Sequence, residues 1–156
     1  MSNYKENAEF VKRFLDETDW HYDMSDHEKA MVFTGGLGGF GGMYNSFKFL
    51  MVVGEDEAQT YVMFPVSAPK DKLQQMAEFV IRANYGLRYG GLEMDFTDGE
   101  IRFHMTLPMQ AIFAERELIV VLLGLPAKEL HRYSRGITEV LMGLKSPEEA
   151  VKECES

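Results

Sequence analysis

The first apolar repeat of the chain lies close to its N-terminus and has the spacing of a helix. Two adjacent apolar pairs, which begin at Phe10 and Phe14, fall on one stripe, and charged residues cover the opposite side. Residues 5–18 are therefore predicted to form a helix. The acidic and polar stretch that follows, residues 19–27, is predicted to be a connection.

Three segments rich in aromatic and β-branched residues predict strands. The glycine-rich stretch 35–42 separates the first two, and a polar turn that begins at Gly54 separates the second from the third. A second helical repeat follows, with Pro69 in its first turn and Gly86 beyond its end. The predicted strands are residues 28–34, 44–53 and 58–66, and the predicted helix is residues 69–84.

Residues 92–105 have the strict alternation of a β-hairpin. Asp98 and Gly99 tolerate positive φ, which a two-residue type I′ turn requires at both central positions. With that turn, one face of the hairpin is apolar and the other carries pairs of opposite charge. The predicted cross-strand pairs are Phe96 with Ile101, Met94 with Phe103, Leu92 with Met105, Asp95 with Arg102 and Glu93 with His104.

The C-terminal third of the chain has helical patterns. Residues 111–124 and 127–144 are predicted as two helices separated at Pro126, and Ser146-Pro147 has the capping pattern that starts a last short helix. Together the segments predict one α+β domain over residues 1–156. Its antiparallel sheet has about five strands with helices packed on one face, in the order α-β-β-β-α-β-β-α-α.

The run from Leu118 to Leu125 is apolar around the whole circumference of a helix. A sheet covers only one stripe of such a helix, so the rest requires another cover. Residues 127–144 would cover it by folding back, or a second copy of the chain would cover it. Burial of each further Leu or Ile is worth about 1.5–3 kcal/mol, and we therefore expect a homodimer.

Charge and composition exclude several classes of partner. The formal net charge is −9, which disfavours nucleic-acid backbones and anionic membrane surfaces. The single cysteine, Cys154, rules out an intramolecular disulfide and lies in a segment we expect to fray. The N-terminal residues lack the apolar stretch of a signal peptide, and no apolar run is long enough to span a bilayer. These features favour a cytoplasmic protein.

No motif in the sequence carries a recognisable chemistry. Residues 36–41 match the string G-x-G-x-x-G, but strand-like sequence follows instead of the helix that a dinucleotide site needs. A flexible hairpin loop or a mobile binding loop explains the glycines better. The cluster around His21 and His27 lacks the spacing of a metal site and is better explained as a solvated loop. We expect no metal, no cofactor and no enzymatic activity.

The sequence resembles the YbjN domain family of bacterial proteins. The resemblance rests on the helix end Ala77 to Asn84, on the stretch from Gly91 to Met105, and on Ser146-Pro-Glu-Glu-Ala150. It implies a type III secretion chaperone-like fold, frequent dimers, no established enzymatic activity and a loose description as sensory transduction regulators. It implies no residue-level site. The glycine-rich loop at residues 35–42 departs from the family pattern.

These observations favour a protein-binding or regulatory module, chaperone-like or an adaptor, whose partner the sequence does not identify. It would bind an extended or helical segment along the sheet or in an apolar groove. The alternative is a small-molecule-binding protein or enzyme with a pocket between sheet and helices. The predicted protein-binding residues are Leu37, Phe40, Met43, Phe113, Leu118, Val121 and Leu122.

Overall fold

The chain forms one open sheet with all its helices on a single face. The structure, a computed structural model, describes residues 3–156. All strand pairs are antiparallel, and the strand order is β1-β2-β3-β4-β6-β5. The strands are β1 (Asp23–Asp26), β2 (Met31–Leu37), β3 (Phe47–Val53), β4 (Glu57–Met63), β5 (Gly91–Met94) and β6 (Ile101–Pro108). The helices are α1 (Tyr4–Glu17), α2 (Leu73–Tyr85), α3 (Met109–Ala114), α4 (Leu118–Leu141) and α5 (Pro147–Cys154), with a 3₁₀ turn at Lys70–Lys72.

The predicted α+β class and the single-sided packing of the helices are confirmed. In β3 the residues from Phe47 to Val53 alternate between the buried core and the open face of the sheet. The buried apolar side chains of β2 to β6 and of the five helices form one continuous core between the sheet and the helices. The helices form a single layer on one face of the sheet, and the other face, which carries side chains such as Lys48, is open to solvent.

The sheet has six strands because β1 forms where a polar connection was predicted. Its four residues are exposed and lack an apolar alternation. Pairing with β2 places Met24 opposite Phe33 and Asp26 opposite Met31. A strand whose side chains are solvated on both faces has no pattern to detect, so only the tertiary pairing defines it.

The predicted hairpin register is wrong by two residues. Leu92 faces Phe103 and Met94 faces Ile101, so the connection has six residues instead of two. The N–H of Gly99 donates to the carbonyl of Asp95 (2.7 Å), closing a wider turn than type I′. Both registers leave the same side chains on the same faces, and Glu93 still contacts both Arg102 and His104.

Two predicted helix boundaries are also wrong. The segment 111–124 is interrupted after Ala114, while α4 continues through Pro126 to Leu141. Pro126 lacks one helical N–H, and it is tolerated where it is buried against the core. In the run that begins at Leu118, the fold of the chain itself buries Ile119, Leu122 and Leu123, whereas Val120 and Val121 stay exposed. Residues 127–141 continue the same helix and do not fold back over the run.

The outer edge of β5 is closed by one side chain at the end of α2. The amide group of Asn84 donates to the carbonyl of Leu92 (2.9 Å), and the N–H of Leu92 donates to Asn84 Oδ1 (2.8 Å). An asparagine side chain thus replaces the next strand at this position, which satisfies two backbone groups that a sheet edge leaves open. Asn84 is the last residue of one of the stretches on which the family resemblance rests, and this contact gives it a structural role.

Candidate functional site: an apolar groove beside the glycine-rich loop

The connection between β2 and β3, residues 38–46, is positioned by its own aromatic and amide side chains. The N–H of Phe40 donates to the carbonyl of Asn45 (3.2 Å), and the N–H of Gly41 donates to Asn45 Oδ1 (2.7 Å). Gly39, Gly41 and Gly42 have positive φ, which residues with a Cβ adopt only at a cost. The glycines supply the positive φ angles of the connection that turns the chain from β2 into the antiparallel β3.

Two aromatic residues hold this loop against α4. The ring of Phe40 stacks on His131 with centroids 5.3 Å apart and packs on Phe47. The hydroxyl of Tyr44 lies 2.7 Å from Thr138 Oγ1, and its ring packs on Phe64 at 4.9 Å. Phe40 and Tyr44 therefore hold the loop on α4, and Met43, which lies between them, projects into solvent.

The loop and the C-terminal half of α4 enclose an apolar groove of 470 Å³. Met43 at the loop tip is 81% exposed, and Met142 and Leu144 beyond the end of α4 are 67% and 66% exposed. Large apolar side chains with such exposure seldom converge on a surface without a partner. The other lining residues are Gly41, Gly42, Tyr44, His131, Ser134, Arg135, Thr138 and Glu139.

The hydroxyl groups of the groove bond to the protein itself. Ser134 Oγ donates to the carbonyl of His131 (2.6 Å), and Thr138 Oγ1 donates to the carbonyl of Ser134 (2.9 Å). Because the hydroxyl hydrogen of Thr138 is used in this way, Tyr44 donates to Thr138. An occupant of the groove would therefore gain mainly from burying apolar surface.

Charged side chains at the rim of the groove neutralise one another. Glu139 is bonded by Lys145 and by Arg135 Nε, the latter at 2.6 Å. The hydrogen bond from Lys145, supported by Arg135, holds the pKa of the Glu139 carboxyl below its usual value. Glu139 consequently stays ionised and paired down to lower pH than a free glutamate.

The structure places the sequence-predicted residues in three different environments. Met43 lines the groove, while Phe40 supports the loop from beneath as a partly buried anchor. Leu37 is buried at the end of β2, and Leu122 is fully buried in α4, so their prediction as exposed contacts is wrong. Both belong to core-facing positions of their elements.

The remaining candidates lie at the other end of α4. Phe113 is 40% exposed and Val121 is 39% exposed, whereas Leu118 is partly buried. The ring of Phe113 meets that of Phe10 edge to face at 5.0 Å, which joins α1 and α3 at this end of the molecule. These residues form a patch separate from the groove.

Sequence reasoning missed several residues of the groove and misplaced others. Leu144 belongs to the segment 127–144 that was one of the two covers considered for the apolar run, but it lies in the exposed turn after α4. Met142 and Thr138 come from a segment almost a hundred residues from the loop, so no local pattern links them to Met43. Cys154 ends α5 instead of fraying, and burial raises the pKa of its thiol.

The described part of the chain contains no arrangement of metal ligands. Among residues 3–156, no three His, Cys, Asp or Glu side chains converge as metal ligands would. Within the same residues, no helix has both the length and the hydrophobicity needed to cross a bilayer.

Comparison with known proteins identifies one related family. The YbjN family model, described as "Putative bacterial sensory transduction regulator", matches residues 7–139 of the chain. This range includes all six strands and most of α4. Searches of curated proteins and of solved structures give no match.

Proposed function

The chain belongs to the YbjN family, and from this premise we propose that it is a bacterial, cytoplasmic regulatory module that works by binding another protein rather than by catalysis. The groove between residues 38–46 and α4 receives an apolar segment of the partner. The observation that carries the proposal is the convergence of Met43, Met142 and Leu144 around a groove of 470 Å³.

The chemistry of the groove favours an apolar protein segment over a polar metabolite. Methionine side chains are flexible and polarisable, so they adapt to different apolar partners. A polar ligand needs convergent hydrogen-bonding groups, but Ser134 and Thr138 already donate to backbone carbonyls. A leucine or phenylalanine of a partner helix would gain about 1.5–3 kcal/mol on burial there.

We expect Met142→Lys to abolish capture of the partner, because it places a charge among the apolar contacts of the groove. The test introduces a photo-crosslinking residue at Leu144 and identifies its adducts in cells by mass spectrometry. In the unsubstituted protein, we expect one partner protein to be cross-linked in stoichiometric amount. In the Met142→Lys variant this adduct should be lost, because the affinity for the partner falls at least about tenfold.

Ile81→Lys is the matched control for this experiment. Ile81 lies on α2 and is 71% exposed, so the same charge change occurs on a similarly exposed apolar residue outside the groove. Equal loss of the adduct in both variants would contradict the proposal. A rise in melting temperature with one compound of a metabolite panel, without any protein adduct, would favour the small-molecule alternative, since the volume also suits a ligand.

We further propose that the chain is a homodimer whose contact includes Phe113, Val120 and Val121. These three side chains are 39–43% exposed at the start of α4 and in α3. Arg116 beside them pairs with Glu17 at 2.8 Å, so a second copy meets a neutralised rim. In a C2 dimer this patch would meet the same patch of the second copy, so that apolar side chains would cover apolar side chains.

Val121→Lys is expected to convert the dimer into a monomer, because two like charges would meet near the symmetry axis. Light scattering coupled to size exclusion at tens of micromolar gives the mass directly. Ile81→Lys should stay dimeric. A monomeric unsubstituted protein under these conditions would end the dimer proposal but would leave the groove proposal standing.

A further inference from the structure

The two edges of the sheet are treated differently by the fold. At β5 the side chain of Asn84 bonds both backbone groups of Leu92. At β1 the four residues from Asp23 to Asp26 are exposed. Helix α1 reaches the side chain of Asp26 through the Tyr4 hydroxyl (2.9 Å), but within residues 3–156 no other element is hydrogen-bonded to the outer backbone groups of the strand. An open edge strand is a template for one more strand. The β1 edge is therefore the place where an extended partner would add.

The backbone groups of β1 that face outward follow from the ladder. The N–H of His27 donates to the carbonyl of Ala30 (2.9 Å), so His27 occupies a hydrogen-bonded position. Such positions alternate in an antiparallel pair, which directs the N–H and C=O of Met24 and Asp26 away from β2. Among residues 3–156, no side chain or backbone group outside β1 and β2 bonds to these groups of Met24.

Charge determines which kind of strand fits this edge. Residues 16–28 contain six carboxylates and no lysine or arginine. Lys12 pairs with Asp16 (3.0 Å), and Lys5 approaches Asp26 (3.7 Å). Asp23 lies on the open face of β1, and none of the lysines, arginines or histidines among residues 3–156 forms such an ion pair with it. A cationic strand would meet complementary charge here.

A second copy of β1 is disfavoured at the same edge. Antiparallel pairing of two β1 strands would bring the Asp23 and Asp26 carboxylates of both copies to one seam of the sheet. Like charges gathered at one interface repel each other. The acidic edge thus opposes self-assembly, and a basic partner experiences no such penalty.

The side chains of β1 also set the alternation of the partner strand. Met24 pairs with the core residue Phe33 and is 41% exposed, so it offers an apolar contact on the helix-covered face of the sheet. Asp23 and Ser25 pair with Thr34 and Val32 on the opposite, open face. We propose that β1 accepts an extended segment of another protein, with alternating basic and apolar residues, as a seventh strand.

The test uses a short synthetic peptide of alternating lysine and valine, titrated into the full chain and followed by the amide NMR signals. We expect the largest shifts and new protection from hydrogen exchange at Met24 and Asp26. A peptide with glutamate in place of each lysine should bind at least about tenfold more weakly. Equal binding of both peptides, shifts centred elsewhere, or no binding at millimolar peptide would overturn the proposal.

Two further experiments distinguish strand addition from simple charge attraction between the peptide and the protein. Met24→Pro removes an outward N–H at an edge position where proline is tolerated, and Met24→Ala keeps that N–H. We expect about tenfold weaker binding for the proline variant and less than about threefold for the alanine variant. Because Met24→Pro could disturb folding, a backbone N-methylated lysine–valine peptide is titrated into the unsubstituted protein. Undiminished binding of the methylated peptide would overturn the proposal.

Discussion

Gly99→Ala is expected to cost about 3–4 kcal/mol of unfolding free energy, the largest loss among the single substitutions considered for this chain. An added Cβ would lie 2.0 Å from the carbonyl oxygen of Ala68 and 2.9 Å from its N and C atoms. The N–H of Ala68 donates to the carbonyl of Gly99 (2.8 Å), which holds the two backbones together. Neither segment can retreat without losing that bond.

The conformation of Gly99 adds to this contact. Its φ of 77° lies in the left-handed region, which costs residues with a Cβ about 1–2 kcal/mol. Urea denaturation followed by circular dichroism measures the total loss of unfolding free energy from the close contact and the backbone conformation. Gly39→Ala is the matched control, because Gly39 has a φ of 88° but an added Cβ would meet nothing within 4 Å. A loss at Gly99 no greater than the loss at Gly39 would show that the close approach to Ala68 is unimportant.

The same substitution at two glycines of α4 is expected to have opposite effects. At Gly136 an added Cβ would lie 2.7 Å from the Sγ of Cys154 and 2.9 Å from Cε2 of Phe79, so alanine should destabilise by about 2 kcal/mol. At Gly124 an added Cβ would meet nothing within 4 Å, so alanine should stabilise by about 0.5–1 kcal/mol through its helix propensity.

A double-mutant cycle tests the cause of the loss at Gly136. Cys154→Ala removes the sulfur that the new Cβ would meet, so Gly136→Ala should cost less in that background than in the unsubstituted protein. Thermal and urea unfolding of the four proteins give the coupling energy. A cost at Gly136 that is unchanged by Cys154→Ala would assign the strain to Phe79 alone. A stabilising Gly136→Ala would contradict the packing of α4 against α2 and α5.

Local patterns determined the elements whose stabilising interactions are close in sequence. Helix α5 begins at Pro147 because the Ser146 hydroxyl accepts from the N–H of Glu149 (3.2 Å), a contact within one turn. The alternation from Leu92 to Met105 correctly assigns the faces of β5 and β6. It does not determine their register, since a shift of two residues leaves every side chain on its face and the contact with Ala68 involves a distant segment.

The family and the α+β class also followed from the sequence, and both are confirmed. Met43 was predicted as a binding residue, and the structure places it at the mouth of the groove. Its partners in the groove were not predictable, because Met142 and Leu144 are far from the loop in sequence and only tertiary contacts, such as those of Tyr44 with Thr138 and of Phe40 with His131, dock the loop on α4. A groove between segments far apart in the chain has no periodicity of its own.

Tertiary structure alone decided three features of this protein. It formed β1 from a polar segment, because pairing with β2 satisfies backbone groups whatever the side chains are. It carried α4 through Pro126, because burial against the core outweighs one lost hydrogen bond. It also buried Leu37 and Leu122 in the core. An apolar side chain gains free energy when it leaves water, and this gain is similar whether the chain itself or a partner buries it, so the sequence does not distinguish the two.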